Sequence, residues 1–149
     1  MARAFEGSEG FALAEIFPAE LPGTEKIMPT VLFVGGDTAF RKQLRALFKH
    51  GKGFDAFLEA GNAVEAMAKA KRRSPNLAVL DFSSSDADGL KLAQKLKACK
   101  PELPIFLLTA DYSLDTEKKA LSCGITAVFS KLDDLETLLA NARAVCGIE

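Results

Sequence analysis

The sequence predicts an α/β domain in which a five-stranded parallel sheet carries helices on both faces. Three observations lead there. From Met28 onward, short apolar runs alternate five times with helix-patterned stretches. The connections are short, and alternation of that kind calls for parallel strands with crossover helices. The runs are apolar at nearly every position, as in strands buried on both sides.

The elements follow in order. "TVLFV" (Thr30–Val34) is the first strand. Gly35 and Gly36 turn the chain, and Asp37 is a good N-cap for a helix with Phe40, Leu44, Leu47 and Phe48 at helical spacing. Gly51 or Gly53 can end that helix. Phe54–Glu59 is the second strand, and the helix opening at Asn62 turns Val64, Met67 and Ala68 inward. After the break at Ser74–Pro75, "LAVLD" (Leu77–Asp81) is strand three and Asp88–Cys99 the third helix. Pro104–Thr109 is strand four, and a helix from Ser113 is stopped by Gly124. Thr126–Ser130 is strand five. The last helix, Asp133–Cys146, presents Leu135, Leu138, Leu139, Ala142 and Val145 to the core. The fourth helix, "LDTEKKAL", has few apolar positions, so packing holds it less firmly and it is a candidate to move or to meet a partner.

Composition excludes several function classes. A chain of 149 residues with 48% hydrophobic and 26% charged residues reads as one globular domain. A net charge of −1 carries no basic footprint for nucleic acid. No apolar run approaches the ~18 residues that a membrane span needs. Glutamates inside "FALAEIFPAEL" argue against a secretory leader. Cys99, Cys123 and Cys146 are odd in number and lack CxxC spacing, which suggests free thiols in a reducing cytoplasm. His50 is the sole histidine, too few ligands for zinc.

Residues 1–27 set Arg3 and Lys26 against five glutamates, a net of −3, and include several glycines and prolines. They read as an N-terminal extension, flexible or loosely docked; the alternative is an ordered arm over this chain or a second copy. Residues 28–149 form the main domain.

In open parallel sheets, ligands gather beyond the carboxyl ends of the strands. The residues placed there are Gly35, Gly36 and Asp37, then Asp81, Thr109 and Lys131. A carboxylate, a hydroxyl and an ammonium thus arrive from three separate strands.

"NLAVLDFSSSDADGLKLAQKLK", "PIFLLTA" and "AVFSK" resemble the receiver domain of two-component response regulators over residues 28 to about 147. The resemblance implies a doubly wound, flavodoxin-like sheet of order 2-1-3-4-5. It implies a signalling module, not an enzyme, with Asp81 as phospho-acceptor from a sensor histidine kinase or phosphotransfer protein. A carboxylate is a competent nucleophile at phosphorus. Thr109 and Lys131 would contact the phosphoryl oxygens, and the Ser83 carbonyl would serve as a metal ligand and phosphate neighbour. A downstream protein would meet the face made by helix four, strand five and helix five. Homodimerisation is a further expectation; nucleic acid and membrane are not.

The departures from the family pattern set the central question. Two acidic residues that usually hold Mg²⁺ correspond to Gly35 and Gly36. Magnesium prefers oxygen ligands in octahedral geometry, so Mg²⁺ is expected to be weak or absent. Asp37 either caps the helix or swings in to help Asp81 and Ser83 as a ligand. Lys131 is followed by Leu132 instead of proline; a trans bond there would place the lysine differently. Val128 stands at the usual aromatic switch position, with Phe129 on the opposite strand face, and Ser85 replaces a common proline. Gly35–Gly36 as a phosphate cradle lacks both nucleotide fingerprints. An aspartyl-phosphate phosphohydrolase would need an acid where Ser83 stands.

Two readings remain. One is a stand-alone receiver in a phosphorelay, phosphorylated at Asp81 over a degenerate metal site. The other is a phosphorylation-independent pseudo-receiver acting as a constitutive protein-interaction module.

Overall fold

The computed structural model describes residues 29–51, 53–54, 56–82, 87–131 and 135–148. The N-terminal extension, Ser83, Ser85 and the Leu132 side of its peptide bond lie outside the described residues.

Ten elements alternate along the chain. They are β1 (Thr30–Gly35), α1 (Thr38–His50), β2 (Ala56–Ala60), α2 (Ala63–Arg73), β3 (Leu77–Asp81), α3 (Ala87–Cys99), β4 (Ile105–Thr109), α4 (Leu114–Ser122), β5 (Ala127–Ser130) and α5 (Leu135–Val145). The strands pair in parallel in the order β2-β1-β3-β4-β5. This is the predicted doubly wound sheet.

Strand periodicity divides the interior into two layers. Leu32, Val34, Ala78, Leu80, Ile105 and Leu107 pack against α2, α3 and α4. Their neighbours Val31, Phe33, Leu77, Val79, Phe106 and Leu108 pack against α1 and α5. Strands β3 and β4 are buried throughout and β1 is buried beyond Thr30, whereas β2 and β5 are only partly covered, being edges. Aromatic rings fill the α1/α5 layer: Phe33 meets Phe48 edge-on at 5.2 Å, and Phe106 meets Phe129 at 5.0 Å.

One helix, α2, shows a different phase from the one expected, and α5 departs from its expected face only at Val145. In α2, Val64 is 81% exposed and Ala68 is also exposed, while Ala66 and Ala70 are buried. Met67 does face the core. Small side chains make the contact here, letting the helix backbone come close to the sheet; hydrophobicity alone favoured the valine. In α5, Val145 is exposed, and Leu138 and Ala142 take the buried stripe, flanked by Leu135 and Leu139. The thin core face expected for α4 is present: Ala120 is its one buried residue, and Leu114 and Leu121 are exposed.

Caps punctuate the helices where the sequence places them. Asp37, Asn62 and Ser113 each accept a backbone N–H three residues on, at 2.7, 2.9 and 3.2 Å. Gly51 closes α1. Cys123 caps α4, with Gly124 just beyond at φ +97°. Burial pushes the Cys146 thiol up from its ordinary value, because the thiolate would lose solvation. No described helix is long and apolar enough to cross a membrane.

The two phases are separable by mutation. Leu80→Ala should lower stability by about 2–5 kcal/mol, as for a methyl-rich cavity in a packed core. Val64→Ala should stay within about 0.5 kcal/mol. Urea unfolding midpoints of the two variants check this; a large loss at Val64 would restore the phase first expected for α2.

Candidate functional site

The register of the sheet builds the site. Gly35 stands opposite Asp81 across β1 and β3, and Thr109 stands opposite Ser130 across β4 and β5. The Lys131 N–H donates to the Thr109 carbonyl at 2.7 Å, so the ladder continues one step past β5 and fixes the lysine backbone.

Among the described residues, Asp81 and Thr109 are the two buried polar ones, 8% and 0% exposed. A buried charge needs a partner. For Asp81 the partner is Lys131, whose Nζ donates to Oδ2 at 3.0 Å. The same ammonium sits 4.2 Å from the centre of the Phe40 ring, a cation–π contact that steadies it from the α1 side.

Thr109 makes a different contact. Its hydroxyl donates to the Asp111 carboxylate and accepts the Asp111 N–H at 3.4 Å. Asp111 was not foreseen; its spacing of two from Thr109 is the only sequence signal for it. The foreseen trio is thus brought to one end of the sheet, with Lys131 bonded to Asp81 through its side chain and to Thr109 through its backbone.

The β1–α1 loop approaches Asp81 through backbone. Gly35 and Gly36 hold φ of +83° and +68°, a region side chains seldom adopt. A Cβ on Gly36 would overlap the Asp81 Oδ2 and lie 2.9 Å from its Cγ; one on Gly35 would lie 2.6 Å from the Asp81 carbonyl oxygen. Both positions therefore need glycine for the conformation seen. Asp37 is spent as the N-cap: Oδ1 accepts from the Phe40 N–H at 2.7 Å.

Arg41 is a second residue that the sequence reading missed. Its Nη1 donates to the Gly35 and Gly36 carbonyls at 3.0 and 3.1 Å, and its Nε to Glu59 Oε1 at 3.3 Å. Its place one turn after the capping Asp37 could have pointed to it. Val128 packs into the α2/α3/α4 layer, and Phe129 into the opposite one, as their alternation predicts. The Ser83 carbonyl lies outside the described residues, and no group of three or more metal-ligating side chains occurs among the described ones.

The response regulator receiver domain profile matches residues 31–143. The chain belongs to the response regulator receiver domain family. Among relatives of this receiver domain, a putative transcriptional regulator of Pseudomonas aeruginosa is 35% identical over 118 residues, covering 79% of this chain and 56% of that protein. Response regulator MprA of Mycobacterium leprae is 34% identical over 115 residues, covering 77% and 50%. The chain spans about half the length of these two curated relatives. A CheY-like receiver domain protein from Methanospirillum hungatei superposes with a TM-score of 0.72 at 24% identity, covering 81% of this chain and 95% of the other. A LuxR-family response regulator from Aurantimonas superposes with a TM-score of 0.74 at 19% identity, over 81% and 86%. At these identities the superpositions speak to the fold, which is the receiver fold.

The ion pair of this receiver can be weighed by a double-mutant cycle. Lys131→Met should cost about 1–3 kcal/mol, below the usual figure for breaking a buried pair because Lys131 is partly solvated. Adding Asp81→Asn should recover part of that loss, since an unpaired buried charge is then removed. Additive costs in chemical unfolding would mean that the pair is not coupled.

Proposed function

We propose that this receiver domain signals by protein–protein contact with its Asp81–Lys131 pair held in one arrangement, as a module independent of magnesium and phosphate rather than an enzyme. The observation that carries this reading is the packing of the Asp81 carboxylate directly on the Gly36 backbone and on the Lys131 ammonium. Magnesium asks for oxygens at ~2.1 Å in a near-octahedral set. The donors here suit it poorly. Positions 35 and 36 offer no side-chain oxygen, Asp37 caps α1, and the Gly35 and Gly36 carbonyls already accept from Arg41. Phosphoryl transfer depends mainly on positioning and charge neutralisation. A site without its cation has little of either beyond Lys131.

The partner on this reading is another protein, met on the α4–β5–α5 face. Leu114 and Leu121 are exposed there, and Tyr112 precedes them. Partial exposure of edge strand β5 supports the same surface.

A second reading keeps Asp81 as the phospho-acceptor from a sensor histidine kinase or phosphotransfer protein. What favours it is the placement of an ammonium 3.0 Å from the carboxylate, where it would meet a phosphoryl oxygen after transfer.

Intact-mass measurement separates the two. The parent and Asp81→Asn are incubated with a small acyl-phosphate donor and Mg²⁺. The expected result is no phosphoryl gain in either chain. A gain in the parent that Asp81→Asn lacks would establish the phosphorelay reading in its place.

A further inference from the structure

Resting on the metal-independent reading, we infer that Arg41 clamps the β1–α1 loop over Asp81, so that a carboxylate restored at position 36 gathers no divalent cation until the clamp is released. What holds the loop thus matters as much as which side chains the loop carries.

The clamp starts from helix geometry. Asp37 caps α1 and its carbonyl accepts the Arg41 N–H at 3.1 Å, which places Arg41 one turn into the helix. The long side chain reaches back over the helix start. One nitrogen, Nη1, binds both glycine carbonyls, while Nη2 reaches Thr38 Oγ1 at 3.4 Å and Nε binds Glu59 on β2. Glu59 is held in turn by Arg45 at 3.4 Å, and the Arg41 side chain is only 14% exposed. A planar guanidinium with several donors can fix a loop in a way an ammonium cannot. Bonds from a charged donor are also stronger than neutral ones.

The clamped loop dictates what a side chain at 36 would meet. Aspartate tolerates left-handed φ better than most residues, so the backbone angle by itself is no bar. The bar is direction: the Cβ enters the Asp81 carboxylate, and a second negative charge would follow it. Relief comes from turning the Asp81 carboxylate, which pulls Oδ2 off the Lys131 ammonium, or from shifting the loop at residue 36, whose carbonyl Nη1 holds. A loop held in place by Arg41 leaves only the first, which parts the two carboxylates instead of presenting them together to a cation.

Four full-length chains test this with MgCl₂ as the only ligand, by calorimetry alongside thermal melts: parent, Gly36→Asp, Arg41→Ala and the double variant. The double variant should bind Mg²⁺ at least about tenfold more tightly than Gly36→Asp, which is a difference of about 1.4 kcal/mol. Gly36→Asp alone should melt lower than the parent. Equal affinity in the two position-36 variants, or binding by neither, overturns the clamp. Should the double variant not fold, the Gly35 and Gly36 amide signals decide: they should move in Arg41→Ala, and unchanged signals overturn the proposal. Tight Mg²⁺ binding by the parent would instead defeat the metal-independent reading on which the clamp rests.

Discussion

A carboxylate nearly sealed from solvent at the end of β3 is satisfied by one ammonium that arrives from the end of β5. Two strands separated by β4 are thereby bridged over the top of the sheet. The ammonium also lies on the Phe40 ring, so the same charge ties α1 to the sheet. Burial makes this contact count. At the surface such a pair is worth little, but a buried carboxylate without its partner is a heavy cost. The backbone bond from Lys131 to Thr109 makes the reach dependable, since it sets where the lysine stem begins.

The rest of the site is arranged around that carboxylate. Glycine at 36 lets the β1–α1 loop lie directly on it, and the Arg41 guanidinium holds the loop there. This rim lies beside Asp81 at the carboxyl end of the sheet. Here it is closed by backbone, with one cation on the aspartate and another on the loop carbonyls. The hydroxyl of Thr109 is engaged by Asp111, at the start of the connection that leads into α4. A change at Asp81 would therefore meet a tightly satisfied set of neighbours. The weakly packed α4 is the element with the least to lose by moving.

The sequence was a good guide to elements and a poorer one to helix faces. Leu77–Asp81 was delimited to the residue, and the cap at Asp37 was visible as a side chain that competes well for the first N–H groups of a helix; Asn62 and Ser113, where helices were expected to open, also prove to be caps. The inward face of α2 was read as Val64, Met67 and Ala68. That reading fails where close approach to the sheet selects alanine, as at Ala66 and Ala70, whereas Ala142 of α5 is buried as expected. Within the candidate site, Asp81, Thr109 and Lys131 were legible because strand ends follow from strand bounds. Asp111 and Arg41 were not, since neither continues an apolar pattern and both act through their side-chain tips.

What the sequence determined by itself was local or periodic. It determined the alternation that requires a parallel sheet, the capping role of Asp37, and a strand end at Gly35 and Gly36 that offers no side-chain oxygen. Tertiary structure alone decided which groups touch. Lys131 meets Asp81 across fifty positions of chain, and Arg41 reaches Glu59 on the neighbouring strand. Those contacts depend on strand order, register and side-chain rotamer together. Spacing along the chain carries no record of the last of these, so the partner of a buried charge has to be found in three dimensions.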